Sequence, residues 1–335
     1  MKALKNVVPE HFWGAVQVVQ QGKVLLQQAQ GLACEKQQRE NLVDTKFAIA
    51  SGGKTFVVVA ILKLVELGKI ALDQNVGDIL DEAAFDGVTV HQLLCHTSGI
   101  ADYIDEDDME TSNEKLAEAV KPVNEIGKIS ELLPYIVNLQ QGKPVATKHL
   151  VYNNAGYIVL GAIIERVTGK YFDVYIKEVV FKPASMTDTD HFEVANLPQN
   201  HAVGYVFKED SETYSLAASE LPAKPLSDGG ASTTTADLAK FWNALLSGNL
   251  IGKNYVEQML SKQSQSEPDE DGGVDSYGYG VWLMGAKGDK PAMIGYDAGA
   301  NFISYVDLEK DFHVTAMSNY MHDVFNIVSQ VREIL

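Results

Sequence analysis

The chain has 335 residues, and at roughly 150 residues per domain this leaves room for two structural lobes with a substantial core. Its 46% hydrophobic and 21% charged residues belong to a soluble folded protein, which excludes fibres and disordered tails. Lys and Arg number 27 against 45 Asp and Glu, so the net charge is −18 and both nucleic acid and anionic membrane surfaces are repelled as partners.

The first residues, MKALKNVVPEHFWGAVQVV, lack the apolar core and small-residue cleavage site of a secretory signal. The longest apolar runs, 56–62 and 157–164, are too short to span a bilayer. A cytoplasmic protein is expected, or an exported one whose signal has been removed. Cys34 and Cys95 cannot form a disulfide framework and have no CxxC spacing, so they read as free thiols.

Residues 13–20 and 23–30 alternate and are rich in β-branched side chains, and Gln21-Gly22 between them predicts a hairpin. From 51 to 67 the apolar residues recur at helical spacing, with Gly68 placed to end the helix. Between about 85 and 220 the pattern is helical and loop-like, with helices predicted over 89–95, 128–139, 155–168 (closed by Gly169) and 171–179. A further helix, 235–246, leads into strands over 279–284, 293–297, 302–308 and 312–318, and a closing helix spans 324–334. Strands at both chain ends with helices between them predict one sheet built from the two termini. The expected lobes are a sheet lobe of 1–47 with 228–335 and a mostly helical lobe of 48–227. The acidic stretches 102–110 and 267–275 do not match a calcium loop and read as solvated loops.

The sharpest local signal is Ala48-Ile-Ala-Ser51-Gly-Gly-Lys54-Thr55 at the entrance to the first buried helix. One reading is a phosphate loop, since Gly53-Lys54-Thr55 supplies its last three residues at a helix N-terminus. Against it, Ala48 stands where the first glycine belongs and the preceding segment is a poor buried strand. The other reading is Ser-x-x-Lys. Positions i and i+3 share a helix face, so the Lys54 amine can approach the Ser51 hydroxyl, and an amine in a partly desolvated site gives up its proton more readily.

The rest of the chain favours the second reading. Tyr152-Asn153-Asn154 precedes a helix, and the motifs run in order: Phe47-Ala-Ile-Ala-Ser51-Gly-Gly-Lys54, Leu93-Leu-Cys-His96-Thr-Ser-Gly99, Tyr152-Asn-Asn-Ala-Gly-Tyr157, Pro183-Ala-Ser-Met186-Thr-Asp-Thr189, Gly229-Gly230, Tyr277-Gly-Tyr-Gly280 and Met317-Ser-Asn319. Together they resemble the serine β-lactamase and penicillin-binding-protein-like superfamily, particularly its class C and family VIII esterase branch. The resemblance implies an α+β fold of the β-lactamase/transpeptidase type, an antiparallel sheet flanked by helices with an inserted mostly helical lobe. It also implies an acyl-enzyme mechanism with Ser51 as nucleophile, Lys54 and Tyr152 sharing proton transfer, and Asn154 positioning Lys54 and the substrate. No cofactor and no metal is called for.

The family's third element is normally Lys-Thr-Gly or His-x-Gly, and here the corresponding stretch is Gly295-Tyr296-Asp297-Ala298-Gly299. A phenol replaces the cation that the family associates with binding a substrate carboxylate, so neutral esters or amides are expected and antibiotic hydrolysis is disfavoured. Backbone N–H groups of Ser51 and Gly299 would form the oxyanion hole. A hydrogen-bonded structural role is expected for His96. A D-Ala-D-Ala peptidase or penicillin-recognising enzyme, and a catalytically silent homologue, remain as alternatives. The expected partner is a small-molecule ester or amide. Pocket shape is expected to come from the loops 103–113, 205–224 and 264–276, and the sequence leaves the oligomeric state open.

Overall fold

The two ends of the chain meet in one antiparallel sheet. A computed structural model describes residues 4–208 and 213–335, so residues 209–212 of the expected pocket loop lie outside the described residues. The strands are β1 (Gly14–Gln20), β2 (Lys23–Gln30), β3 (Ser264–Gln265), β4 (Ser276–Tyr277), β5 (Trp282–Met284), β6 (Lys290–Asp297), β7 (Ala300–Asp307) and β8 (Phe312–Ser318). Their order across the sheet is β2-β1-β8-β7-β6-β5-β4-β3, so the N-terminal hairpin adds to the C-terminal meander. Gln21 and Gly22 both adopt left-handed backbone, whose twist matches that of the flanking strands.

Every residue of β7 and β8 is buried, because helices cover both faces of the sheet. Side chains alternate between two cores. Phe302 and Met317 pack into the larger one with Phe241 and Trp242, whereas Ile303, Tyr305 and Ala316 meet Ile327, Val328 and Val331 of the closing helix Phe325–Ile334. The Trp242 indole N–H donates to Ser304 Oγ at 2.9 Å, so this deeply buried polar pair is satisfied.

Several expected elements differ in detail. The run 279–284 is not one strand. Gly278 N–H donates to the Val281 carbonyl at 2.9 Å and Gly280 is left-handed, which makes a turn between β4 and β5. Tyr279 and Val281 are fully buried in that turn, and this is why its composition imitates a strand. The stretch 205–224 begins with a hairpin, Tyr205–Lys208 against Thr213–Leu216, and 264–276 contributes the edge strand β3. A helix, Met109–Ala119, starts within 103–113, with the Asp108 carboxylate accepting from Thr111 N–H at 3.2 Å. The predicted helix 171–179 runs as Phe172–Ile176 and then loosens into a π turn. No helix among the described residues is long and apolar enough to cross a membrane.

The segment that carries Ser51 is held from three sides. Phe47–Ala48 pairs with Ser232–Thr233, after which Ala50 takes a left-handed conformation (φ 44°) and opens a 3-10 turn, Ala50–Gly53. The helix α1 (Lys54–Glu66) follows, and Phe56 through Leu62 are buried without interruption. On its outer side the turn touches β6, where an added side-chain carbon at Gly295 would lie 2.0 Å from the Ile49 carbonyl oxygen. Only glycine permits this approach.

Gly295→Ala is therefore expected to destabilise the protein by about 3 kcal/mol or more, because the obstacle is backbone and cannot turn away. Gly68→Ala, at a left-handed position with open space around it, should cost only about 1 kcal/mol. Denaturant unfolding of the two variants checks the difference.

Candidate active site

Ser51 lies in the 3-10 turn and not within α1, and this improves its alignment with the lysine. In a 3-10 turn side chains at i and i+3 eclipse, and Lys54 Nζ donates to Ser51 Oγ at 2.9 Å. The lysine is 1% exposed. Its other donations go to Asn154 Oδ1 at 2.8 Å and to the main-chain carbonyl of Asp228. All three N–H groups of the ammonium are thus engaged.

Tyr152 approaches differently from what the motif implied. Lys54 Nζ sits 5.0 Å from the centroid of its ring, and 5.4 Å from that of Tyr157. The Tyr152 ring packs on His96 (centroids 4.4 Å apart) and stacks with Trp282 at 5.9 Å. Its hydroxyl makes no hydrogen bond among the described residues, so the phenol stands beside the Ser51–Lys54 pair without joining it.

Asn154 opens the helix α2 (Asn154–Thr168), and the start of that helix is capped twice. The Asn153 side chain accepts from Gly156 N–H at 2.7 Å, and the Asp102 carboxylate accepts from the N–H groups of Asn154 (2.6 Å) and Ala155 (2.9 Å). Burial raises the Asp102 pKa, against these N–H groups, which favour its charged form. Behind the motif, His96 Nδ1 accepts from Asn153 N–H at 3.1 Å. Burial, reinforced by the Lys54 charge, holds His96 well below the usual histidine range, so it is neutral with its proton on Nε2.

Acidic groups border Ser51 and Lys54. Tyr103 Oη donates to Asp228 Oδ2 at 2.5 Å, and Glu106 Oε1 accepts from Asn154 Nδ2 at 2.9 Å. Burial raises the Asp228 pKa, with Lys54 and the Tyr103 hydroxyl opposing it. Tyr103 is pushed well above the ordinary phenol range by burial and by Asp228. On β6, Tyr296 is 65% exposed, whereas the charges of Asp228, Lys54 and Glu106 all act on Asp297. Side chains alternate along a strand, so Asp297 shares the face of Gly295 and Tyr296 takes the other. Asp297 is exposed on one side and crowded by protein on the other. Its carboxyl is pushed up to about 6, chiefly by burial and then by Asp228 and Glu106, with Ala298 N–H (2.7 Å) and Lys54 pulling the other way. Ala298 and Gly299 form the β6–β7 turn, in which Gly299 packs against the backbone of Gly204.

Ser51, Lys54 and Asn154 therefore form one bonded group, Tyr152 lies alongside by its ring, and Asp297 is the third-element residue that lends charge to the cleft. Sequence reasoning passed over Asp102, Tyr103, Glu106 and Asp228. The stretch 102–110 is not a solvated loop throughout, because Asp102, Tyr103 and Glu106 bond to groups of the site. The phosphate-loop reading fails, since Lys54 is fully engaged, Thr55 Oγ1 donates to the Gly280 carbonyl at 2.6 Å, and carboxylates border the cleft. Among the described residues no group of three or more His, Cys, Asp or Glu could hold a metal ion.

Comparisons with known proteins bear on the family and the fold. A family model described as Beta-lactamase matches residues 10–332. A penicillin-binding protein of Bacillus subtilis (strain 168) is 28% identical over 316 residues, covering 89% of this chain and 66% of its own length. The chain thus spans just under two thirds of that relative. A solved penicillin binding protein from Bacillus halodurans superposes with a TM-score of 0.88 at 30% identity, covering 100% of this chain and 99% of its own. A D-amino acid amidase from Ochrobactrum anthropi SV3 shares the fold at a TM-score of 0.76 and 21% identity, covering 99% of this chain and 98% of its own.

The raised Asp297 carboxyl gives a testable pH dependence. Its folded pKa lies above the unfolded carboxylate value, so the native state binds more protons between about pH 4 and 6 and loses stability as pH rises through 6. Asp297→Asn, which keeps an acceptor for Ala298 N–H, should be more stable than the parent at pH 7.5, with the gap closing toward pH 4. Urea unfolding across that range checks it.

Proposed function

Because the chain belongs to the Beta-lactamase family, we propose that it is a serine hydrolase acting through an acyl-enzyme on a small ester or amide. The observation that carries this reading is the hydrogen bond between Ser51 Oγ and a lysine shut away from solvent. In the reaction, Lys54 acts as the neutral amine, its third proton given up to solvent, and takes the Ser51 proton directly or through the neighbouring Tyr152 phenol as Ser51 Oγ attacks the substrate carbonyl carbon. The carbonyl becomes an oxyanion held by backbone N–H groups, for which Ser51 and Gly299 are the proposed donors. Collapse expels the alcohol or amine, which leaves with that proton. Water then attacks the ester on Ser51, the same groups take a proton from that water, and they pass it to Ser51 Oγ as the carboxylic acid is released.

In this reading the cleft lies between a sheet lobe, 1–47 with 228–335, and a helical lobe, 48–227. Its charge bears on the substrate. The carboxylates of Asp228, Asp297 and Glu106 border the nucleophile, and the third element carries a tyrosine where the family carries a cation. A substrate carboxylate would be repelled there, which supports uncharged esters and amides. A second reading, an enzyme recognising D-Ala-D-Ala ends or penicillins, draws support from relatives named penicillin-binding proteins.

Ser51→Ala should abolish turnover of p-nitrophenyl acetate and butyrate, and Lys54→Ala should lower kcat by about a thousandfold. Equal activity in parent and Ser51→Ala would overturn the assignment. kcat/KM for nitrocefin should fall well below that for p-nitrophenyl butyrate, and the opposite ranking would favour the penicillin-recognising reading.

A further inference from the structure

We propose that Glu106 is a positioning residue that fixes the orientation of the Asn154 amide and so keeps its carbonyl oxygen on Lys54. The inference rests on the hydrolase reading above for its catalytic consequence, though not for its geometry. Asn154 is 5% exposed and its amide has two ends of nearly equal size, so space alone does not choose between them. Its partners choose. Lys54 Nζ, which only donates, faces Oδ1 at 2.8 Å, and the Glu106 carboxylate, which only accepts, faces Nδ2 at 2.9 Å.

The lysine is a reliable guide only while it is an ammonium. Once Lys54 has given up a proton it can accept, and an Asn154 amide turned by half a revolution would offer it an N–H. Lys54 would then spend its lone pair on Asn154 and not on the Ser51 proton. A turned amide would also set its carbonyl oxygen against the Glu106 carboxylate, which has no proton to give. Glu106 thus guards the orientation at the stage when Lys54 cannot.

Glu106 is itself exposed, and the chain around it supplies the rigidity. Asp102 grips the first N–H groups of α2, and Asp105 N–H donates to Ser112 Oγ at 2.9 Å. Between them Tyr103 holds Asp228, whose carbonyl is another acceptor for Lys54. The segment 102–106 consequently governs two of the three acceptors of the lysine.

The test compares Glu106→Ala, Glu106→Gln and Glu106→Lys with the parent, using p-nitrophenyl butyrate and a fluorophosphonate probe for Ser51. Thermal unfolding should barely move, because the side chain is exposed. Glu106→Ala should lower kcat about tenfold at nearly constant KM, since a loosened amide misplaces the base. Glu106→Gln, whose carbonyl still accepts from Nδ2, should recover most of that loss. Glu106→Lys, a donor set against a donor, should lower kcat about a hundredfold. In parallel, 15N-asparagine labelling should show the Asn154 side-chain NH2 protected from exchange in the parent and in Glu106→Gln and unprotected in Glu106→Ala. Equal protection in parent and Glu106→Ala, or equal loss of kcat in the Ala and Gln variants, would overturn the proposal. If the parent neither turns over substrate nor labels at Ser51, the hydrolase reading falls, and the NH2 protection still decides the orientation.

Discussion

A lysine ammonium taken out of water is unfavourable by several kcal/mol unless acceptors and negative charge surround it. Lys54 meets that condition with acceptors from three distant parts of the chain: the turn before α1, the start of α2 and the loop at Asp228. Each must arrive for the lysine to be buried at all. Assembly of the site and packing of α1 are therefore one event. The uninterrupted apolar run from Phe56 to Leu62 drives the helix inward, and the polar groups at its mouth determine where Lys54 comes to rest.

The three acceptors of Lys54 are a hydroxyl, an amide and a peptide carbonyl, none of them ionised. The balancing charge stands one step back, on Asp228, Asp297 and Glu106. This separation matters chemically. Neutral acceptors fix the nitrogen by hydrogen-bond geometry, without a direct ion pair. The acids at one remove shape the potential around Ser51 and Lys54, and Glu106 does so while also holding the Asn154 amide.

What could be read from the sequence was what is local. Ser51 and Lys54 are three residues apart, Tyr152, Asn153 and Asn154 adjoin a helix start, and β1, β2, β7 and β8 have the alternation and turn residues that define them. Asp102 was not legible as a cap, because the N–H groups it serves lie 52 and 53 positions along the chain. Its neighbours are mostly acidic and polar, so the stretch looks solvated. Glu106 was missed for the same reason. The sequence offers Tyr296, Asp297, Ala298 and Gly299 together as substrate-binding candidates, but the face of a strand residue follows from parity, and Gly295 pressed against Ile49 sets that parity in favour of Asp297 over Tyr296. In the turn after β4, buried Tyr279 and Val281 gave a strand-like composition to residues whose backbone bends.

Two non-glycine residues beside the site hold left-handed backbone, Ala50 (φ 44°) and His96 (φ 56°), at a cost of about 1 kcal/mol each. Both are over-determined by hydrogen bonds. Gly230 N–H donates to the Ala50 carbonyl at 2.7 Å, while His96 receives Asn153 N–H on its ring and Val151 N–H on its carbonyl at 2.9 Å. Ala50 turns the chain so that Ser51 leaves the end of its short strand, and His96 supports the approach of Tyr152 and Asn154 from below. Strain of this kind persists only where the surroundings do not yield. Ser51, Lys54 and Asn154 thus sit on a frame with little freedom to adapt, and under the proposed function differences in substrate preference arise from the groups around it: Tyr103, Glu106 and the turn at Asp297.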